Sequence, residues 1–357
     1  MLRRAIPLAV FLLASCQVLQ PAGPSLLPTD TGPERTLEFS NTIGRIELVE
    51  GRTFRPSRLL VSRAVQDGNT MRIDMGHRVA ETGCLVVGKR VLFDPPGGDG
   101  GTIAIGGDVG RSELDSLPVM RVTVPDRNVK LVIRNSMIWG RTGDLAELDV
   151  DMTTCGELEV GDVERAATLR LGGETRVRID DAASLDANLT EQAEIDIERV
   201  GQTNVDLFGG SRLKLQEVEG AGALSLANGA NTEVEHVTGT LSATLSDAAV
   251  LRMDKPGGSV TVRGAGSSRV EVDDAAMRSL DIEMAGRSEA RIGGRVTALR
   301  VATADTALVE VDRVSGTLAA RADDRSEIRV NTDPAQTAQS RIRLKGPSGR
   351  YGLPFID

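Results

Sequence analysis

Apolar residues recur in the second half of the chain as short alternating pairs at a spacing of about 19 residues. Within a pair, one polar residue separates the two apolar ones, and this period of two is typical of strands with one buried face. The pairs that end successive units are Leu158/Val160, Val177/Ile179, Ile195/Ile197, Leu213/Leu215, Val234, Leu251/Met253, Val270/Val272, Ile292, Val309/Val311 and Ile328/Val330.

A second apolar pair precedes the first within each unit. Small, turn-prone clusters such as Gly209-Gly210-Ser211 and Asp305-Thr306-Ala307 lie between the pairs, and residues of these types permit tight corners. The earlier pairs are Leu148/Val150, Leu169/Leu171, Ala187/Leu189, Val205/Leu207, Leu224/Leu226, Ala243/Leu245, Val260/Val262, Leu280/Ile282, Leu299/Val301 and Leu318/Ala320.

A fixed period with two strands and their corners in each unit is typical of a solenoid, in which stacked units share one core. We therefore predict an all-β chain whose residues 143–333 form a parallel, right-handed β-helix of about ten rungs of ~19 residues. The longer leucine and asparagine framework of leucine-rich repeats is missing. The spacing of the pairs also disagrees with the six-residue repeat of left-handed β-helices.

Residues 36–142 are rich in strand-like segments, among them Ile43 to Val49 and Val119 to Val124, but do not share the period. We predict that they form irregular first rungs and a cap, because an uncovered strand edge favours aggregation. The pattern ends after Asp333, and residues 334–357 are predicted to be a C-terminal tail or cap.

The start of the chain has the features of an export signal. Arg3 and Arg4 precede an apolar run, Ile6 to Ala14, that is too short to cross a bilayer as a helix. The run ends in Leu13-Ala14-Ser15-Cys16, which resembles the lipobox of bacterial lipoproteins and implies that Cys16 is lipidated after removal of residues 1–15. An ordinary signal peptide with a chance cysteine is the alternative.

The residue after the lipobox and the segment that follows indicate where the chain is held. Gln17 stands where the inner-membrane retention signal has Asp, so the resemblance implies transfer to the outer membrane, with the chain facing the periplasm or the cell surface. Residues 16–35 are rich in proline and small polar residues, which predicts an extended tether between the lipid and the folded domain.

Composition limits the classes of binding partner that we expect. Without Arg3 and Arg4, the chain is more acidic than the full sequence, whose formal net charge is −9. Proteins bind nucleic acid by neutralising phosphates with Lys and Arg, so we expect no nucleic-acid partner. The membrane, through the lipid, and an envelope glycan or protein are the expected partners. The aromatic content of 2% suits a thin, regularly stacked core.

Cys84 and Cys155 remain once Cys16 is lipidated. In an oxidising periplasm such a pair can form a disulfide, and two free buried thiols are the alternative. The sequence has no Cys-x-x-Cys motif, so a zinc or redox-pair site is not indicated.

No catalytic, metal or cofactor site is predicted. The two histidines, His77 and His236, are far apart and belong to no metal-binding spacing. The pairs Asp180-Asp181, Asp273-Asp274 and Asp323-Asp324 are the candidates for glycoside hydrolysis, which needs two facing carboxyl groups. Acidic corners are also expected in a solvated repeat, and we interpret the pairs in this way.

The glycine-rich segments do not change that picture. Gly97-Gly98-Asp99-Gly100-Gly101 lacks the repetition of calcium-binding nonapeptides, and no phosphate-binding helix pattern follows Gly106-Gly107-Asp108-Val109-Gly110. Both segments are interpreted as loops.

One segment resembles a known family. Leu117–Ser136, which reads LPVMRVTVPDRNVKLVIRNS, is similar to the entry segment of the auto-transporter adhesin, head GIN domain family, and the later units are similar to its repeats over residues 36–333. The resemblance implies a β-helical envelope protein without known catalytic residues.

Together these features predict a non-enzymatic envelope lipoprotein whose rod serves adhesion or scaffolding. A polysaccharide-active β-helical enzyme using paired Asp residues, and a structural periplasmic spacer, are the alternatives.

Overall fold

The computed structural model describes residues 34–51, 54–57, 60, 63–79, 83–87, 90–94, 112–113, 117–124, 128–332, 341–345 and 350–352. They form a β-solenoid of about 11 turns at a spacing of ~19 residues, which confirms the predicted all-β, parallel repeat. The part of the chain described contains no helix long and apolar enough to cross a membrane.

The strands of the N-terminal region are mostly short. Their bounds are β1 Arg35–Ser40, β2 Ile43–Glu50, β3 Arg55–Pro56, β4 Ala64–Asp67, β5 Thr70–Asp74, β6 Gly83–Val87, β7 Arg90–Asp94, β8 Ser112–Glu113, β9 Val119–Val124, β10 Val129–Arg134 and β11 Met137–Arg141.

The strands of the repeat region include long ones that run through a corner. Their bounds are β12 Leu145–Met152, β13 Cys155–Val160, β14 Val163–Leu171, β15 Glu174–Leu189, β16 Glu194–Phe208, β17 Arg212–Val218, β18 Ala221–Ala227, β19 Asn231–Val237, β20 Thr240–Leu245, β21 Val250–Pro256, β22 Ser259–Gly264, β23 Arg269–Met284, β24 Glu289–Thr303, β25 Leu308–Asp323, β26 Glu327–Thr332, β27 Arg341–Lys345 and β28 Arg350–Gly352.

Parallel pairing arranges the strands in two stacks. Stack A contains β9, β2, β11, β13, the first parts of β15 and β16, then β17, β19, β21, the first parts of β23 to β25, β26 and β28. Stack B contains β5, β1, β10, β12, β14, the second parts of β15 and β16, then β18, β20, β22, the second parts of β23 to β25 and β27.

The core lies between the two stacks and continues from turn to turn. Its stack A side is built from the predicted terminal pairs; Val177, Ile195 and Leu213, for example, lie side by side and are at most 2% exposed. Removing atoms from such a residue, as in Leu→Ala, costs about 2–5 kcal/mol. Each unit alone leaves its apolar face uncovered, and stacking buries it.

Matching the earlier pairs of neighbouring units one to one is off by two residues at two steps of stack B, β12 to β14 and β20 to β22. Leu245 lies beside Gly264, so Val262 is the neighbour of Ala243, and Val150 lies beside Leu169. The strands at these two steps have three inward positions each. The earlier pair is the first two of them in β12 and β22, where Met152 and Gly264 stand third, and the last two of them in the neighbouring β14 and β20. A shift of two residues preserves which side chains face inward, so the predicted core residues are still buried.

The corners between units have the backbone geometry that their composition predicts. Gly209 and Gly266 have φ of 73° and 71°, and Asp305 has φ of 60° at the equivalent place in another turn. Left-handed backbone is tolerated by Gly and, less easily, by Asp and Asn. The turn-prone clusters are therefore needed for the chain to reverse direction at this corner.

Spatial order differs from chain order at the N-terminal end. The turn made of β1 and β2 lies between the turn made of β5 and β9 and the turn made of β10 and β11. The short strands β3 and β4 pair antiparallel with β9 and β5 and cover the edges of that first turn. A separate antiparallel sheet of β6, β7 and β8 leaves the coil in the same region.

Candidate functional site

A disulfide joins the sheet of β6, β7 and β8, which we call the outer sheet, to the coil. Cys84 on β6 and Cys155 on β13 are bonded, with Cα atoms 6.1 Å apart, and the Cys155 side chain is fully buried. The sequence left this pair open between a disulfide and two free thiols. The bond fixes β6 against the outside of stack A.

A second hydrophobic cluster, which we call the outer cluster, surrounds this bond on the outside of the coil. Ile43, Met137, Trp139 and Cys155 occupy outward positions of stack A, where a coil residue is normally solvated. Val79, Leu117 and Cys84 of the N-terminal region pack on them. Trp139, the one tryptophan of the sequence, is consequently only 5% exposed.

A polar groove of about 590 Å³ begins beside Trp139 and follows the outside of stack A. Trp139, Glu157, Arg176, Glu194 and Arg212 are register partners on consecutive turns. Because neighbouring strands are about 4.8 Å apart, these positions span about 19 Å along the coil axis. The same groove is also lined by Glu174, Gln192 and the backbone of Gly210.

Guanidinium donors and carboxylate acceptors alternate along the groove. Arg176 donates a hydrogen bond from Nη2 to Oε2 of Glu194 over 2.7 Å, and this bond raises the pKa of Arg176 above its ordinary value despite some desolvation. The two side chains keep 57% and 30% of their surface exposed. Planar groups with several hydrogen-bonding positions therefore face the groove with capacity left for a ligand.

A ladder of alternating charge runs beside the groove on the same outward face, which we call the A face. Every neighbour in the ladder has the opposite sign, and several pairs form ion pairs, such as Arg121–Glu47 at 2.7 Å and Arg252–Glu271 at 2.9 Å. In spatial order the ladder is Arg121, Glu47, Arg141, Glu159, Arg178, Asp196, Lys214, Glu233, Arg252, Glu271, Arg291, Glu310 and Arg329.

The outward face of stack B, the B face, is different in its central turns. Most of its side chains are short, and Asp186, Asp206 and Arg263 are the charged ones among them. Asn204 donates a hydrogen bond to Asp186 on the neighbouring turn over 3.1 Å. The central residues are Ser184, Asp186, Asn188, Gln202, Asn204, Asp206, Ala221, Ala223, Ser225, Thr240, Ser242, Thr244, Ser259, Thr261 and Arg263.

The predicted aspartate pairs lie at corners and are not brought together. Asp180-Asp181 and Asp273-Asp274 follow equivalent strand ends that are five turns apart, a separation of about 24 Å at 4.8 Å per turn. Asp181 is ion-paired with Arg199 on the next turn. Asp323 accepts a hydrogen bond from Nε of Arg321 over 2.9 Å and forms an ion pair with its Nη2 at 2.7 Å.

The first of these corners carries further carboxylates that the sequence analysis did not select. Burial raises the pKa of Asp162 above its ordinary value, and the charges of Asp181, Asp144 and Asp180 raise it further, while Arg199 opposes the rise. Like charges on neighbouring turns disfavour ionisation. No group of three or more His, Cys, Asp or Glu side chains in the described ranges is arranged to hold a metal ion.

Neither histidine lines the groove among the described residues. His77, near the N-terminal cap, has a pKa lowered by burial and by the charge of Arg63. His236 lies in a corner column between Glu217 and Lys255. Cys16 and the two glycine-rich segments lie outside the described residues.

Sequence reasoning missed both the ladder and the groove. The ladder was readable over the repeat, since its members there are the residues between the two apolar positions of each terminal pair, such as Glu159, Arg178 and Asp196. The groove depends on the outer sheet, whose position on stack A no local pattern indicates.

The chain matches no family model, and no curated protein or solved structure shows significant similarity to it.

Proposed function

We propose that this protein is a non-enzymatic lipoprotein of the cell envelope whose rod serves adhesion or scaffolding. The observation that carries the proposal is the uninterrupted parallel coil, which presents equivalent outward positions at every turn. Such a surface suits extended, repetitive partners, because one arrangement of side chains is offered many times along one axis.

The anchor rests on the sequence Leu13-Ala14-Ser15-Cys16 and the proline-rich residues 16–35. Cys16→Ser should abolish incorporation of radiolabelled palmitate and move the protein from the membrane fraction to the soluble fraction. Cys84→Ser is the matched control, and it should leave both lipid labelling and fractionation unchanged. Palmitate labelling of the Cys16→Ser protein would contradict the proposed anchor.

Orientation decides between the two roles. Intact cells that express the protein with a C-terminal tag are treated with an impermeant protease. Loss of the tag means that the rod faces outward, and this result supports adhesion. Protection until the outer membrane is opened supports scaffolding inside the periplasm. The resemblance of Leu117–Ser136 to the head GIN domain family agrees with an envelope role.

A polysaccharide-active enzyme is the second candidate, and the raised pKa of Asp162 beside Asp180 and Asp181 is the observation that favours it. A carboxyl group with a raised pKa close to a carboxylate is the combination that glycoside hydrolysis uses. Turnover of an anionic polysaccharide that disappears in Asp180→Ala/Asp181→Ala but persists in Asp273→Ala/Asp274→Ala would establish this function in place of the first.

A further inference from the structure

The groove beside Trp139 is a concavity on the outward side of stack A. One end lies against the outer cluster that the Cys84–Cys155 bond holds in place, and its wall is a column of polar side chains on consecutive turns. Ligand sites are normally concave places where a few polar groups converge, and this arrangement has both properties.

We propose that this groove binds a neutral glycan chain lying along the coil axis. The proposal rests on the envelope function above and specifies the chemical class of one partner. The column Glu157, Arg176, Glu194 and Arg212 offers carboxylate acceptors and guanidinium donors in turn, each able to hold two hydroxyl groups at once. A sugar chain presents paired hydroxyl groups repeatedly along its length, so it meets the same geometry turn after turn.

Charge balance favours a neutral chain over an acidic one. The carboxylates of Glu157, Glu174 and Glu194 line the groove together with the guanidinium groups of Arg176 and Arg212. A polyanion would face three carboxylates, and a like charge next to a ligand charge is a cost that specific sites use to reject a partner.

The apolar character of the groove is too low for a peptide. Peptide and protein partners are held mainly by aromatic or aliphatic anchors that enter pockets. Among the described residues, Trp139 is the one aromatic side chain that lines the groove, and it is only 5% exposed. Hydrogen bonding to hydroxyl groups is the chemistry that remains.

The test uses the full chain and three neutral tetrasaccharides, namely chitotetraose, cellotetraose and maltotetraose. Binding is measured by isothermal titration calorimetry and by emission of Trp139, which reports on the groove because the sequence has no other tryptophan. We expect at least one tetrasaccharide to bind and to change this emission. Arg176→Ala should weaken binding about tenfold, the usual cost of losing hydrogen bonds to a charged group.

Arg269→Ala is the matched control, because Arg269 occupies the same column several turns away. It contacts Glu289 on the next turn at 3.7 Å, as Arg176 contacts Glu194, and it is 52% exposed. This variant should bind as tightly as the unaltered protein. Thermal unfolding of both variants shows whether each is folded before affinity is compared.

Three results would overturn the proposal. They are no binding of any neutral tetrasaccharide, equal loss of affinity in the Arg176→Ala and Arg269→Ala proteins, and tighter binding of tetragalacturonate than of the neutral chains. Retention of the rod on envelope fractions is measured in parallel. If retention persists while the tetrasaccharides fail, the groove assignment is wrong and the envelope function stands.

Discussion

The A face and the B face of this coil are built on the same backbone period but carry different side chains. On the A face, long charged residues such as Arg252 and Glu271 stack in register over successive turns. On the central B face, short residues such as Ser242 and Thr261 occupy the equivalent outward places. A parallel coil sets identical positions about 4.8 Å apart, so any like charges in one column would repel at every turn.

The two faces solve this problem in two ways. The A face alternates the sign of its charges, so every neighbour in the column attracts. The B face removes most of the charge and leaves short polar groups. The difference shows that a regular backbone constrains the sequence of its surface as well as that of its core.

The largest effect is expected from the bond that places the outer sheet on the A face. Replacing both cysteines, Cys84→Ser/Cys155→Ser, should lower the free energy of unfolding by about 2–4 kcal/mol, because the cross-link restricts the unfolded chain. The emission of Trp139 should shift to longer wavelength as the indole is uncovered. Thermal melts and fluorescence measure both, and addition of a reductant should change the unaltered protein alone.

The next effect concerns the corner that leads into stack B. Gly220, Gly239 and Gly258 lie above one another, and a Cβ at Gly239 would overlap the carbonyl oxygen of Gly220. Gly239→Ala should therefore destabilise the protein by about 1–3 kcal/mol, the usual cost of overpacking. Urea unfolding provides the measurement.

Gly257→Ala is the control at the same corner, since its Cβ would lie 3.8 Å from the carbonyl oxygen of Val237. It should be neutral or slightly stabilising, because alanine restricts the unfolded chain more than glycine does. Equal destabilisation by both substitutions would contradict the role of close backbone approach.

Charge reversal distinguishes the contribution of the whole ladder to stability from that of one isolated ion pair. The double variant Arg252→Glu/Glu271→Arg restores the pair itself but sets like charges against Glu233 and Arg291, so it should lose about 0.5–1 kcal/mol. Added salt should reduce the loss. Chemical unfolding at low and high salt provides the measurement.

The B face supplies the control for that reversal. Arg263 and Glu283 form a pair at 3.3 Å, and the outer neighbours of the pair are the uncharged Thr244 and Ala302. Arg263→Glu/Glu283→Arg should leave stability unchanged. A loss as large as that on the A face would show that alternation is not the cause.

The smallest effect is a dependence on pH at the acidic corner. Since the pKa of Asp162 is raised in the folded protein, folding favours its neutral form, and the cost of ionisation appears as the pH rises through that raised pKa. Asp162→Asn should therefore be more stable than the unaltered protein at pH 7. Below the ordinary pKa of 3.8 the difference should vanish. Urea unfolding at pH 7 and pH 3 checks the sign, which would be reversed if Asp162 were stabilised as an anion.

The sequence predicts the repeat well wherever chain order equals spatial order. The terminal pairs, from Leu158/Val160 to Ile328/Val330, are register neighbours as aligned, because their alternation and the corner residues restrict each strand independently. Gly264 at a third inward position was enough to shift the earlier pairs by two residues. The period alone does not distinguish shifts that keep the same face buried.

The N-terminal turns and the groove depend on contacts that no local pattern encodes. The turn of β1 and β2 lies between turns that come later in the chain, so Glu47 meets Arg121 and Arg141 although 74 residues separate Glu47 from Arg121. The outer cluster joins Val79 and Leu117 to Trp139 across 60 and 22 residues of the chain. Such pairings are chosen by the folded coil as a whole.

The charge ladder also sets the step in which this architecture can change length. Duplicating or deleting a single turn of ~19 residues would place two like charges next to each other at the new junction. Duplicating or deleting two turns together preserves the alternation. The smallest segment that can be added or removed while the charges still alternate is thus a pair of turns, about 9.6 Å long at 4.8 Å per turn. The backbone itself repeats after one turn.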